Sequence, residues 1–244
     1  MFPLKDNIPT LRFPIVTVVL IALNAFVYFF LQDAFLGLPD GGASGDWPVD
    51  RYAEIPCEIS GEEPCETTPG GPSTEVTVFT AMLMHGSILH LGGNMLFLWI
   101  FGNNVEDSMG PVKFLLFYLL GGVAAAALQI AIDPGSQIPN LGASGAVAGV
   151  LGGYLLLFPR ARVITVIFII FFFTIIELPA LVILGFWFVQ QVLFGYFDVT
   201  TAGNQEGGVA YFAHIGGFVF GLLAIKLFAD ERKRRDQIEQ VGRV

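Results

Sequence analysis

The stretch Tyr211-Phe212-Ala213-His214-Ile215-Gly216-Gly217-Phe218-Val219-Phe220-Gly221 decides the fold. It belongs to an apolar run, Val209–Phe228, long enough to cross a bilayer, and it carries an imidazole near its start. An ionisable side chain in hydrocarbon is expensive, so its presence points to function. A second anomaly stands in Gly142-Ala143-Ser144-Gly145, where a serine opens another apolar run. A nucleophile and a base on two membrane helices, in a chain with no metal-ligand cluster in its sequence, point to acid–base chemistry inside the membrane.

The composition agrees. Of 244 residues, 54% are hydrophobic and 14% charged, against roughly 45–50% and 25% in soluble domains. The 29 glycines suit a helix bundle in lipid, where small residues let backbones approach. The net charge of −9 is concentrated between Asp33 and Glu75, an acidic loop whose only base is Arg51. Outside the C-terminal tail there is no basic patch of useful size, which argues against nucleic-acid binding.

Six apolar segments are readable: Phe13–Leu31, Phe79–Phe101, Val112–Ile132, Ser144–Phe158, Ile176–Tyr196 and Val209–Phe228. The reading is thus an all-α polytopic membrane protein of six helices. A short N-terminus (1–12), a membrane domain (13–228, with the acidic extracytoplasmic loop 33–76) and a charged tail (229–244) organise the chain. The first segment reads as an uncleaved span, its apolar run being longer than that of a secretory signal. Val163–Ile175 is also apolar and reads either as the start of a long fifth helix or as an interfacial segment. Glu177-Leu178-Pro179 favours a boundary there, since the residue before proline is biased away from helix. With both termini cytoplasmic, Lys5, Arg12, Lys113, Arg160, Arg162, Lys226, Arg232, Lys233, Arg234, Arg235 and Arg243 fall on the cytoplasmic side, and only Arg51 falls outside. That is the bias expected of positive-inside topology. The tail from Asp230 reads as a solvated helix end. Cys57 and Cys65 share the extracytoplasmic loop, which makes a local disulfide the favoured pairing over two free thiols.

On a helical second span, His90 and Asn94 are i and i+4 and share a face, whereas His85 lies about 140° round from His90. Each could serve only as a helix–helix hydrogen bond, but two aligned donors at membrane depth can also receive a developing negative charge. A zinc site from His85, His90 and His214 is a competitor. It lacks the i, i+4 histidine pair and the glutamate of a helical zinc motif. Ser144 could be an ordinary N-cap. Gly142 and Gly145 beside it would also permit an anion-binding turn of backbone amides. Small residues recur at Ala148 and Gly152 after Ser144, and at Gly217 and Gly221 after His214. These stripes can bring the fourth and sixth spans into contact, within reach of a Ser144–His214 dyad. No Asp or Glu stands where it could orient His214, so the expected unit has no third member.

With these motifs assembled, the chain resembles the rhomboid intramembrane serine proteases of the bacterial six-span type. The resemblance rests on His85-x4-His90-x3-Asn94, Gly142-Ala143-Ser144-Gly145 and Ala213-His214-x2-Gly217-x3-Gly221. Phe101-Gly102-Asn103-Asn104-Val105-Glu106-Asp107 and Glu177-Leu178-Pro179-Ala180 also resemble the family. It implies Ser144 as nucleophile and His214 as general base. His90, Asn94, Gly142 and the Ser144 amide would stabilise the oxyanion, with His85, Gly145, Gly217 and Gly221 in support. It implies no cofactor and no metal. The substrates would be single-span membrane proteins, cut near the outer face of a bacterial cell membrane. The fifth helix and the loop Phe197–Gly208 would form the gate and cap. The chain departs from the family at Val76-Thr77, where many relatives carry a Trp-Arg pair, and at Ala148, where an aromatic often stacks on the histidine.

Two other functions compete. An inactive rhomboid-like protein that binds membrane clients would lose the serine or the histidine, and this chain keeps both. A transporter would show paired ionisable groups or repeated broken helices, and Glu177, Gln190 and Gln191 are too few.

Overall fold

Glycine stripes from two helices meet at one crossing, and the rest of the bundle is arranged around it. The computed structural model describes residues 2–32, 51–66, 70–169, 172–201 and 209–241. In chain order these are β1 (Phe2–Asp6), α1 (Ile15–Phe26, continued by a π-helical stretch Val27–Leu31), α2 (Pro56–Ser60), α3 (Thr74–Ala81), α4 (Ile88–Phe97), α5 (Asn103–Met109), α6 (Pro111–Ile132), α7 (Ser144–Leu157), β2 (Arg162–Ile169), β3 (Phe172–Pro179), α8 (Ala180–Thr201), α9 (Tyr211–Phe228) and α10 (Glu231–Val241). The part 33–50 of the acidic loop and the part 202–208 of the expected cap lie outside the described residues.

The chain is mostly helical. Among the described residues three helices are long and apolar enough to cross a membrane: Pro111–Ile132, Ala180–Thr200 and Tyr211–Phe228. Ile15–Leu31 and Ser144–Leu157 are shorter apolar helices.

Helix α7 is the centre. Eleven of its fourteen residues are buried, from Gly145 to Leu157. Helix α9 lies directly on it. A methyl group added at Gly217 would collide with the Gly145 carbonyl, one at Gly221 with the Gly149 carbonyl, and one at Gly152 with the Phe218 carbonyl. Such backbone contact is open only to glycine, and it substitutes dispersion for the hydrophobic effect that lipid cannot supply. Helix α6 closes the third side, where the same test at Gly145 brings the Ala125 methyl to 2.5 Å.

Away from the Ser144 end, α7 is held by polar groups. Tyr154 donates its hydroxyl to the Asp6 carboxylate, which also accepts from Asn104 Nδ2 at 2.7 Å. Glu106 accepts from the amides of Val16 (3.0 Å) and Thr17 (2.8 Å) and from the Thr17 hydroxyl (2.8 Å). Those amides belong to the first turn of α1 and have no intrahelical partner, so Glu106 of α5 caps α1 from a distance. Helix α10 is docked on this polar layer and is not a wholly solvated helix end. Gln237 is buried and donates to the Asn104 carbonyl at 3.3 Å.

Two sequence expectations need correction. Phe79–Phe101 is not one helix. Helix α3 ends at Ala81, and α4 begins at Ile88 with Ser87 as an extended N-cap whose hydroxyl accepts from the His90 amide at 3.1 Å. His85 therefore sits in the connection and not on the helix that carries His90. The second correction concerns Val163–Ile175, which does not begin the fifth helix, since its described residues lie in two strands. Strands β2 and β3 form an antiparallel hairpin, paired from Arg162↔Pro179 to Ile169↔Phe172, and β1 adds a third strand on β2. The fifth helix starts after Pro179, at Ala180, and not at Ile176.

Candidate active site

Ser144 opens α7 as its first helical residue. Its N-cap is Ala143, which makes no side-chain capping bond, so Ser144 does not stand at the N-cap position. The first intrahelical bond of α7 is donated by Val147 to the Ala143 carbonyl. The amides of Ser144, Gly145 and Ala146 stand ahead of it, at the positive end of the helix, where an anion is favoured.

His214 sits in the first turn of α9. The α7–α9 crossing fixes its depth relative to Ser144, because Gly217 rides on Gly145. Ser144 and His214 line one cavity of about 780 Å³, together with His90, Asn94, Ala148 and Trp187. That size suits a peptide segment or a small ligand.

His90 and Asn94, one turn apart on α4, form the opposite wall. Asn94 is 8% exposed, and its Nδ2 has no partner among the described residues. A buried donor left open at a cavity wall is available to a ligand oxygen. Gly142 has φ +124°, a conformation L side chains rarely adopt. A Cβ there would stand 2.7 Å from His90 Cε1 and 2.8 Å from His90 Nε2. Glycine thus lets the loop close on the imidazole. Its own N–H is bound to the Ala81 carbonyl at 2.9 Å, so that N–H is already used and is not a free donor at the cavity.

His85 is 2% exposed and packs edge-on against His90, with ring centroids 5.1 Å apart. Gln32 brackets its backbone, accepting from His85 N (3.0 Å) and donating to His85 O (3.3 Å). Gly145 and Gly221 act at the helix crossing. Cys57 and Cys65 are joined by a disulfide with Cα atoms 5.7 Å apart. Three residues ahead of this disulfide, the Glu54 backbone pairs with Asn140 in both directions (3.0 and 2.7 Å) just before the Gly142 turn. Glu54 is buried, and burial pushes its carboxyl up to about 7.

Two residues were not legible as site residues in the sequence. Gln191 of α8 places Oε1 2.8 Å from His214 Nδ1. Trp187, one turn earlier, lays its ring over the same imidazole, with centroids 5.6 Å apart and planes 39° from parallel. The aromatic missing at Ala148 is thus supplied from another helix. Their i, i+4 spacing within an apolar run was the available signal, since it puts an indole and an amide on one stripe.

Comparison with known proteins places this architecture. The model of the rhomboid domain matches residues 73–231, well over half of the chain. The chain belongs to the rhomboid family. The mitochondrial rhomboid protein 1 of Saccharomyces cerevisiae is 27% identical over 179 residues, which is 70% of this chain and 47% of that protein. The rhomboid protease GluP of Bacillus subtilis is 38% identical over 78 residues, 32% of this chain and 15% of that protein. The human presenilin-associated rhomboid-like protein, mitochondrial, is 30% identical over 142 residues, 57% of this chain and 34% of that protein. The rhomboid chain thus matches less than half the length of each of these relatives. The matched segment contains every candidate site residue of α4, α7, α8 and α9.

Proposed function

We propose that this chain is an intramembrane serine endopeptidase that cuts single-span membrane proteins. One observation carries the reading: Ser144, His214, His90 and Asn94 come from three helices and line a single cavity. The relative named a protease, GluP, supports it.

The chemistry follows from the groups. Ser144 Oγ bonds to the scissile carbonyl carbon as its proton passes to His214 Nε2. The carbonyl electron pair moves onto oxygen, which faces Asn94 Nδ2, the His90 imidazole and the first amides of α7. On collapse the C–N bond breaks, and His214 returns the proton to the leaving amine. Water then gives a proton to His214 and attacks the acyl carbon, and Ser144 Oγ departs with that proton. No cofactor takes part.

The finer architecture belongs to the same proposal. The chain spans the bilayer six times, with residues 1–12 and 229–244 cytoplasmic, as the Lys and Arg distribution favours. A helix of 14 residues rises ~21 Å, short of a ~30 Å hydrocarbon core. A nucleophile at its outer end therefore lies below the membrane surface. Cleavage occurs toward the extracytoplasmic face, with α8 beside the route of entry.

The test is proteolysis of a single-span substrate by the purified full chain in liposomes. Cleavage that disappears in Ser144→Ala and in His214→Ala supports the reading. Cleavage that survives in Ser144→Ala overturns it, and substrate binding without cleavage by the unmodified chain points to a non-proteolytic client-binding protein.

A further inference from the structure

We infer that Gln191 of α8 is the positioning residue of the base: it fixes the tautomer and ring orientation of His214, with Trp187 holding the ring's face. The inference rests on the proposed role of His214, and its own observations are the contacts that His214 makes with α8.

The hydrogen-bond directions follow from chemistry. Gln191 Nε2 lies 3.4 Å from the backbone carbonyl of Trp187, one turn back on α8. A carbonyl oxygen can only accept, so the amide nitrogen must face it. That orientation turns Oε1 toward His214 Nδ1, at 2.8 Å. An amide oxygen also only accepts, so Nδ1 carries the hydrogen. The neutral ring then has its lone pair on Nε2, where a Ser144 proton can be taken. The reverse tautomer would set an Nδ1 lone pair against the Oε1 lone pairs.

Burial strengthens the constraint. Gln191 is 6% exposed, so a lost bond is not replaced by bulk water. Trp187 limits ring rotation, and it is itself braced by Phe218 of α9, with centroids 5.9 Å apart. Phe218 stacks in turn on Phe188 at 4.5 Å. The base is therefore held between two helices, its chain on α9 and its orienting groups on α8.

An amide differs from the carboxylate of a triad. It orients Nδ1–H and accepts from the imidazolium, but it adds no full charge to raise the ring's basicity. Gln191 therefore acts through geometry, and a glutamate at this place would add electrostatics.

The experiment compares Gln191→Leu and Gln191→Glu in the full chain in liposomes, with Ser144→Ala beside them. Gln191→Leu should lower kcat on the order of 10²-fold with KM unchanged, the scale of a misoriented catalytic group. Gln191→Glu should restore most of the rate and move the acid limb of the kcat profile to higher pH. Histidine nitrogen NMR of isotope-labelled protein should report the Nδ1–H tautomer for His214 and its loss in Gln191→Leu. Full kcat in Gln191→Leu while Ser144→Ala is inactive overturns this inference and leaves the protease reading standing. Were the chain to lack proteolysis altogether, the NMR comparison would still decide, and an Nε2–H tautomer in the unmodified protein would overturn the inference.

Discussion

Gly217 of α9 rests on the backbone carbonyl of Gly145 of α7, with no room for a Cβ between them. The contact lies one residue beyond Ser144 and three beyond His214 along their helices. It sets Ser144 and His214 at a common depth, so the packing of the bundle and the register of the proposed site are one feature.

Replacing Gly217 by valine should therefore damage both. Overpacking of a tight interface costs about 1–3 kcal/mol, and here the intruding atoms meet backbone that cannot rotate away. Unfolding in mixed micelles should show the loss of stability. Proteolysis should fall in the fraction that remains folded, because the helices separate at the dyad. Unchanged stability would mean that the crossing is looser than described.

Asn94→Ala removes one of the proposed oxyanion donors. The rate should fall by about 10²–10³, mostly in kcat, since the donor meets charge that develops only during the reaction. Substrate affinity should change little. A rate equal to the unmodified chain would remove Asn94 from the chemistry.

Trp187→Phe keeps an aromatic face over His214, and Trp187→Ala does not. The phenylalanine variant should retain most activity, and the alanine variant should lose on the order of tenfold or more in kcat as the ring becomes free to turn. Equal rates for the two would show that the stack on His214 plays no part.

Glu54 predicts a pH-dependent stability. Burial raises its carboxyl from an ordinary 4.5 to about 7 in the folded chain. The fold thus favours the protonated form, and the folded state binds more protons than the unfolded one between those values. Stability from this group is fully present below pH about 4.5 and is lost as the pH rises through about 7. Thermal unfolding of Glu54→Gln should lack that slope. A slope of the same size in the variant would assign it to another group.

The sequence is most readable where glycine spacing carries the information. The stripes through Ala148 and Gly152 and through Gly217 and Gly221 predict the α7–α9 contact, and the backbone positions that touch are Gly145, Gly149 and Gly152. The i, i+4 pair His90 and Asn94 is readable for a similar reason. The hairpin is not. Val163–Ile175 is apolar at nearly every position, so neither a period of two nor one of 3.6 emerges. The break before α4 was hidden because His85, Gly86 and Ser87 lie within a hydropathic window, while the cap is a local bond from the His90 amide to Ser87 Oγ. Gln191 was overlooked for another reason. A carboxylate is the usual signal of a partner for a histidine base, whereas the acceptor at His214 Nδ1 is an amide on the preceding helix, 23 residues away.

Everything proposed for the site depends on Ser144 being the nucleophile of a serine protease. The most direct measurement is to react the full chain in liposomes with a fluorophosphonate and map the adduct by peptide mass spectrometry, with proteolysis followed in parallel. One adduct is expected, on Ser144, and its formation abolishes cleavage of the single-span substrate. An adduct on another residue with cleavage abolished, or full cleavage with Ser144 blocked, would contradict it.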